Sequence, residues 1–295
     1  MSIWVDENTK VVVQGLTGDQ GRYYGLRNRA YGTKVVAGTN PRKAGTDVEG
    51  IPIYASVRES VEKTGANAAF VIVPAPFAGN AILEAAEAGI ELIVCVTEHI
   101  PMHEEAKVFN TLVRSYPKTR LIGPNCSGII SPGKCNIGFT PGEVAMPGGP
   151  VGSVSRSGTL SYQALYELTQ KGIGQTTGVG IGGDPVPGTS FIDCLKAFEA
   201  DPETKAVIMI GEIGGSQEEE AAAFIHREVS KPVIAYIAGV TAPPGRKMGH
   251  AGAIISGSKG TAKAKMEALE KAGARVATNP TQLGDLTAEA LGLNG

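Results

Sequence analysis

Three groups of potentially reactive residues stand in the second half of the chain. "GRKMGHAGAIISG" sets His250 in a stretch with few side chains, between Gly249 and Gly252. "IGEIGGS" sets Glu212 directly after the apolar run "AVIMI", and "VGSVSRSGTLSYQAL" sets Ser157, Gly158 and Thr159 at the start of a helical segment. A carboxylate that accepts one ring N–H of a histidine fixes the tautomer and leaves the other nitrogen as a nucleophile. Exposed backbone N–H groups at a helix start favour a phosphate. Together a phosphate turn, a carboxylate and a histidine, each beyond an apolar run in one half-chain, are harder to dismiss than any one alone. Taken singly, each has a plainer use: a solvated loop histidine, a helix-start acid, an ordinary Ser or Thr cap. The glycines near Ser157 are misplaced for a GxSxG nucleophile elbow, and there is no GxxxxGK[ST] phosphate loop.

The first half holds a second anion-binding pattern. In "QGLTGDQGRYYG", Gly15, Gly18 and Gly21 are spaced for a tight turn feeding a helix N-terminus. After the second apolar run an NAD site would carry an acidic residue, but the sequence reads "GTNPRKAG", with Arg42 and Lys43. Basic residues there suit an extra ribose phosphate, in NADP or in the 3′-phospho-ADP of coenzyme A, and these residues leave the two tied. Glu98 in "VTEHIP" is placed to meet a ligand or to cap the next helix. Cys126 in "IGPNCSG" has no obvious base beside it and reads as a small packed thiol near the ligand. Of the other histidines, His99 and His103 flank a helix start and His226 lies in a helix beside Arg227.

The elements that must hold these residues alternate along the chain. Short apolar runs ("KVVVQG", "KVVAG", "AAFVIV", "ELIVCVT", "RLIG") are separated by helical segments such as "FAGNAILEAAEAG" and "HEEAKVFNTLVRSY". This is the signature of parallel βαβ units. Thr140–Pro150, with two PG dipeptides and few periodic apolar residues, is the best linker. The alternation then restarts with "VGSVS", "GVGIGG", "KAVIMIG" and "KPVIAYIAG", and a helix is expected over "SKGTAKAKMEALEKAG". The reading is α/β, with two doubly wound domains over 1–145 and 146–295. In such sheets ligands sit beyond the carboxyl ends of the strands, where the residues above fall.

Composition narrows the function further. A net charge of −2 with no basic block argues against nucleic acid. No apolar run approaches membrane-spanning length, and "MSIWVDENTK" has no apolar region of a secretory signal. Cys95, Cys126, Cys135 and Cys194 show no CxxC spacing, so no metal site is expected, and reduced thiols in a cytosolic compartment are the economical reading.

At this point the motifs resemble a known family, the α subunits of succinyl-CoA synthetase among the nucleoside-diphosphate-forming acyl-CoA synthetases. "GLTGDQG", "SRSGTL", "GIGGDPVPG", "IGEIGG" and "GHAGAI" occur in the family's order over nearly the whole length. The chain departs from the family pattern at Ser127 after Cys126 and at "RYYG" in the first helix. The resemblance implies an N-terminal Rossmann-like CoA-binding domain followed by a flavodoxin-like ligase domain, and so favours CoA over NADP. It implies that His250 is transiently phosphorylated, that Glu212 orients it, and that Ser157, Gly158 and Thr159 receive the phosphorylated ring. It places Tyr162 at a succinate contact, and Thr17, Gly18, Asp19, Gln20, Lys43, Val96, Thr97 and Glu98 in the CoA segments.

The activity implied is reversible: succinyl-CoA, phosphate and ADP or GDP exchange with succinate, CoA and the nucleoside triphosphate, as in the citric acid cycle. The family supplies an ATP-grasp domain on a β subunit, where Mg²⁺ with nucleotide is expected. The location expected is cytoplasmic, or the mitochondrial matrix for a eukaryotic mature chain. Competing readings are a related CoA ligase acting on malate, citrate or another acid, an NADP-dependent oxidoreductase, and a non-catalytic CoA- or nucleotide-sensing module. The last gives no reason to pair Glu212 with His250.

Overall fold

The computed structural model describes residues 2–255 and 260–293. The chain forms two compact units, one spanning Trp4–Thr140 with Val186–Gly188, the other Pro141–Pro185 and the chain from Thr189 onward, with the N-terminal residues up to Ile3. The division falls between Thr140 and Pro141, inside the stretch read as a linker and ahead of residue 146. Hydrogen bonds explain the difference. Val144 accepts from the Thr169 hydroxyl, and Met146 exchanges bonds with the side chain and backbone of Gln175, all within the second unit.

The first unit runs β1 (Lys10–Gln14), α1 (Asp19–Tyr31), β2 (Lys34–Thr39), β3 (Asp47–Val48), β4 (Ile51–Tyr54), α2 (Val57–Thr64), β5 (Ala68–Val71), α3 (Ala75–Glu87), β6 (Leu92–Cys95), α4 (Met102–Ser115), β7 (Arg120–Ile122), β8 (Gly128–Ser131) and β9 (Cys135–Gly138). Strands β4-β2-β1-β5-β6-β7 lie side by side and parallel, the order of a Rossmann fold. β5 and β6 are buried along their whole length, as expected of strands covered by helices on both faces. Two hairpins escape the period-based reading. β3 pairs antiparallel with β4 across Glu49 and Gly50, both at positive φ, and β8 pairs antiparallel with β9 around "SPGK". The strands of the first are too short to show a period.

The second unit runs β10 (Val151–Ser155), α5 (Gly158–Gln170), β11 (Gln175–Gly180), α6 (Phe191–Ala200), β12 (Ala206–Glu212), α7 (Gln217–Glu228), β13 (Val233–Ala238), α8 (Ala262–Lys271), β14 (Arg275–Ala277) and α9 (Leu283–Ala290). Its strands β14-β13-β12-β10-β11 are parallel throughout, which is the flavodoxin order. β14 and α9 are additions to the elements legible in the sequence. The helix expected from Ser258 starts at Ala262, capped by Thr261; Ser258 and Lys259 lie outside the described residues. α6 begins with a reciprocal capping box between Ser190 and Asp193. The β12 strand is buried at every position, and the core beneath it includes Ile208, Ile210 and Ile234.

Phe198 of α6 fills the opposite face, fully buried over Gly152, where even a Cβ would lie 2.5 Å from the ring. Phe198→Ala is expected to lower the unfolding free energy by about 3–5 kcal/mol. Urea titration measures it, and an unchanged midpoint would contradict this packing.

Candidate active site

In the first unit a cleft of about 1200 Å³ opens at the carboxyl ends of β1, β2, β5 and β6, where the strand order reverses. Its floor is the turn after β1. Gly18 N–H bonds to Gly15 C=O at 3.0 Å, and α1 starts with no side-chain cap on its first amides. A Cβ at Gly21 would stand 2.0 Å from the Gly15 carbonyl oxygen, so the helix approaches the turn this closely only with glycine there. Thr17, Gly18, Asp19, Gln20, Val96, Thr97 and Glu98 all line this cleft. Asn40 fixes the next loop by donating to the Thr17 hydroxyl at 2.7 Å and accepting from Arg42 N–H at 3.0 Å.

Lys43 stands in the loop beside the cleft. Its backbone N–H closes a turn onto Asn40 C=O at 3.0 Å, its side chain is exposed, and the adjacent Arg42 lines the cleft. Lining residues that no motif pointed to include Glu84 and Phe139. Phe139 is backed by Tyr24 of "RYYG", their ring centroids 4.2 Å apart. Cys126 is buried and its thiol donates to Cys95 C=O at 3.3 Å.

In the second unit the separate signals of the sequence converge. His250 Nδ1 lies 2.6 Å from Glu212 Oε2. A carboxylate only accepts, so Nδ1 carries the proton and Nε2 the lone pair. Glu212 ends β12 with its side chain 8% exposed, against 29% for His250. The other carboxylate oxygen faces Arg156 Nε at 3.2 Å, an ion pair by distance whose angle falls outside hydrogen-bond geometry. Arg156 was not singled out in the sequence. Its signal was available in "SRSG", a buried-strand context ending in a cation. Arg156 also places the helix start: its N–H bonds to Ile210 C=O, and the next residue, Ser157, caps α5 by accepting from Leu160 N–H at 3.3 Å. Gly158 and Thr159 open that helix, and Tyr162 lies half-buried in its second turn. His99, His103 and His226 are elsewhere, at exposed positions of the first unit for His103 and His99 and at the end of α7 for His226.

The histidine loop is tightly seated. The His250 ring lies against Gly183, where a Cβ would come 2.2 Å from ring carbon Cγ. The loop backbone closes on itself through Met248 N–H to Ala253 C=O at 2.9 Å and Ala253 N–H to His250 C=O at 3.2 Å. The His250 pKa is raised above the usual 6.5, first by the hydrogen bond to Glu212; burial and the Arg156 charge pull it back, while the charges of Glu212 and Asp184 add to the rise. An unperturbed titration near 6.5 is therefore not what the environment produces. Among the described residues no group of three or more His, Cys, Asp or Glu could hold a metal ion, and no helix is long and apolar enough to cross a membrane.

A pH titration of the His250 ring protons by NMR is expected to give a midpoint above 6.5. Glu212→Gln removes the largest raising influence, so the midpoint should move down. Equal midpoints in the two proteins would show that the contact is not made in solution.

Comparison with known proteins finds relatives of both units. A family model described as CoA binding domain matches residues 6–99, over the cleft of the first unit, and one described as CoA-ligase matches residues 154–275. The succinate–CoA ligase [ADP-forming] subunit alpha of Aquifex aeolicus is 56% identical over 291 residues, 99% of this chain and 95% of that protein. Subunit alpha 2 of the same enzyme from Archaeoglobus fulgidus is 57% identical, covering 99% of this chain and 100% of its own length. A solved ATP citrate lyase of Methanosaeta concilii, in complex with (3S)-citryl-CoA, superposes with a TM-score of 0.89 at 25% identity; it covers 99% of this chain, which spans 51% of that longer one. With more than half of its residues shared over essentially the full length of those subunits, the chain belongs to the succinate–CoA ligase alpha-subunit family.

Proposed function

We propose that this chain is the α subunit of an ADP-forming succinate–CoA ligase, that its first unit binds CoA, and that its second unit carries the phosphoryl group on His250. The observation that supports this reading best is the 2.6 Å contact between His250 Nδ1 and the buried Glu212 carboxylate. Phosphate attacks the thioester carbonyl of succinyl-CoA, the C–S bond breaks, and CoA leaves with a proton, giving succinyl phosphate. Nε2 of neutral His250 then attacks phosphorus as the P–O bond to succinate breaks. The ring becomes an N-phosphorylated imidazolium whose Nδ1–H stays bonded to Glu212, so the carboxylate balances the charge that appears. Transfer to ADP restores the neutral ring and gives ATP. Ser157, Gly158 and Thr159 hold the phosphoryl oxygens at the start of α5, where backbone N–H groups and the helix dipole favour an anion.

Tyr162, in the same helix, is the proposed succinate contact. In the cleft, Thr17, Gly18, Asp19, Gln20, Val96, Thr97 and Glu98 surround CoA, and Arg42 is the cation best placed for one of its phosphates. The nucleotide step requires a partner, proposed to be a β subunit with an ATP-grasp domain that holds Mg²⁺ with the nucleotide. A cytoplasmic complex is the corresponding location.

With the β subunit, Mg²⁺ and labelled ATP, label should appear on His250 and be lost in acid but not in base. His250→Asn should abolish labelling and turnover while CoA still binds. Phosphate located on Ser157, Thr159 or another histidine by alkaline mass spectrometry would overturn the relay. The cleft is tested separately by calorimetry. A charge-assisted hydrogen bond is worth about 1.5–3 kcal/mol, so Arg42→Ala should weaken CoA binding about 10- to 100-fold, and Lys43→Ala much less. The reverse ranking would return the phosphate contact to Lys43.

A further inference from the structure

Beneath Glu212 lies a second buried charge pair that the relay does not use. Lys265 of α8 and Glu218 of α7 are both fully buried and form an ion pair, with Glu219 at 3.6 Å from the same ammonium. Neither sits at the reacting atoms, yet each ends on backbone that carries the site. β10 stops pairing with β12 at Ser155 and Ile210. Two residues on, the Glu212 N–H donates to Glu218 Oε1 at 3.1 Å, so the helix carboxylate takes the place of the missing strand. Gly211 leaves the room for it: a Cβ there would lie 2.7 Å from that same oxygen.

Lys265 acts one turn further along. Its ammonium donates to Gly214 C=O at 2.6 Å, while Gly214 N–H bonds to Gly260 C=O at 2.8 Å. Both ends of that residue are thereby fixed. Gly214 is the surface on which the histidine loop rests, because a Cβ at Gly214 would stand 2.0 Å from Gly252 C=O and 2.9 Å from Ile254 N. A shift of the Gly214 peptide is thus a shift of the seat of His250.

We infer that Lys265 and Glu218 are positioning residues for the His250 phosphoryl carrier: Glu218 sets the Glu212 backbone, and Lys265 sets the glycine turn against which the histidine loop packs. The inference rests on His250 being the carrier. A buried ion pair replaced by apolar and neutral groups of similar shape is often no less stable, whereas breaking it one-sidedly is costly. That asymmetry separates a positioning role from a merely structural one.

The test uses the αβ complex and three variants: Lys265→Met, the double variant Lys265→Met with Glu218→Gln, and Glu218→Gln alone. Single-turnover phosphorylation of His250 from ATP, the melting temperature and CoA affinity are measured for each. Lys265→Met should melt earlier. The double variant should regain most of the lost melting temperature and bind CoA normally, yet phosphorylate His250 at least tenfold more slowly, because Gly214 has lost its donor. Glu218→Gln keeps an oxygen for the Glu212 amide and leaves Lys265 on Gly214, so its rate should stay within about threefold of wild type. A double variant that phosphorylates at the wild-type rate overturns the inference. If it does not fold, folded Lys265→Met carries the test: a loss of at least tenfold with normal CoA affinity supports the inference, and a wild-type rate overturns it. A wild-type complex that carries no phosphate on His250 sinks the carrier reading, a result distinguishable from either of these.

Discussion

Everything in the second unit is arranged around a carboxylate held out of water. Glu212 ends a strand buried at every position, and a carboxylate there is costly unless its oxygens are engaged. One oxygen takes the Nδ1–H of His250 and the other faces Arg156. These two partners determine what must lie nearby. Arg156 comes from the end of β10, the neighbouring strand, and so brings the start of α5 to the same place. His250 comes from the loop after β13, the neighbour on the other side. The carboxylate thus ties together a candidate nucleophile and a candidate anion site that are 93 residues apart in sequence (His250 and Ser157), and it does so only because the parallel order β13-β12-β10 puts their strand ends together.

The first unit meets the same requirement by different local chemistry. Both units open a helix just beyond the carboxyl end of their first strand, at the point where the sheet order reverses. In α5 the cap is Ser157, whose side chain takes one of the first amides. In α1 the cap is Gly18, and no side chain takes them. The first amides of α1 therefore remain available to a ligand lying in the cleft, while glycine at position 21 lets the helix start sit on the turn itself. The pantetheine-bearing CoA is long, and a wide cleft with apolar walls such as Pro74 and Phe77 suits it better than a compact mononucleotide.

Much of this was legible because the central strands are apolar on both faces and each is followed by a Gly-rich turn. Runs such as "AVIMI" and "AAFVIV" announce buried parallel strands, and the residues after them announce the site. Charge at a strand end was the readable sign for Glu212, and a Gly-flanked loop beyond the next strand was the sign for His250. Strand-end charge was also present for Arg156 but was masked by its neighbours, since "SRSG" draws attention to its serines and glycine as anion ligands. Lys265 and Glu218 were not legible at all. In a helix, a lysine in "TAKAKMEAL" and a glutamate in "SQEEEAAAF" read as solvated charges, and only the packing of α7 against α8 buries one of each. Short hairpins such as β3–β4 carry too few residues for any period to show.

The charges around His250 oppose one another, and that opposition fits the chemistry proposed for it. A carboxylate on Nδ1 makes Nε2 more basic and so a better nucleophile, but basicity also raises the fraction of rings already protonated and unable to react. With the pKa raised by Glu212 alone, a growing share of the protein near neutral pH would hold the imidazolium. Burial of the ring and the positive charge of Arg156 act in the other direction. Arg156 is too close to Glu212 to be a bystander, yet its guanidinium is not aligned for a hydrogen bond, so it tempers the carboxylate's field without taking its proton-accepting oxygen from the histidine. In the proposed relay, a ring that gains a phosphoryl group becomes cationic, and the same carboxylate would balance it while the candidate anion site at α5 would balance the phosphoryl oxygens. Replacing Glu212 by a neutral acceptor would keep the tautomer and lose that compensation, which is why the function calls for a carboxylate, and why that carboxylate must be buried with a cation at its back.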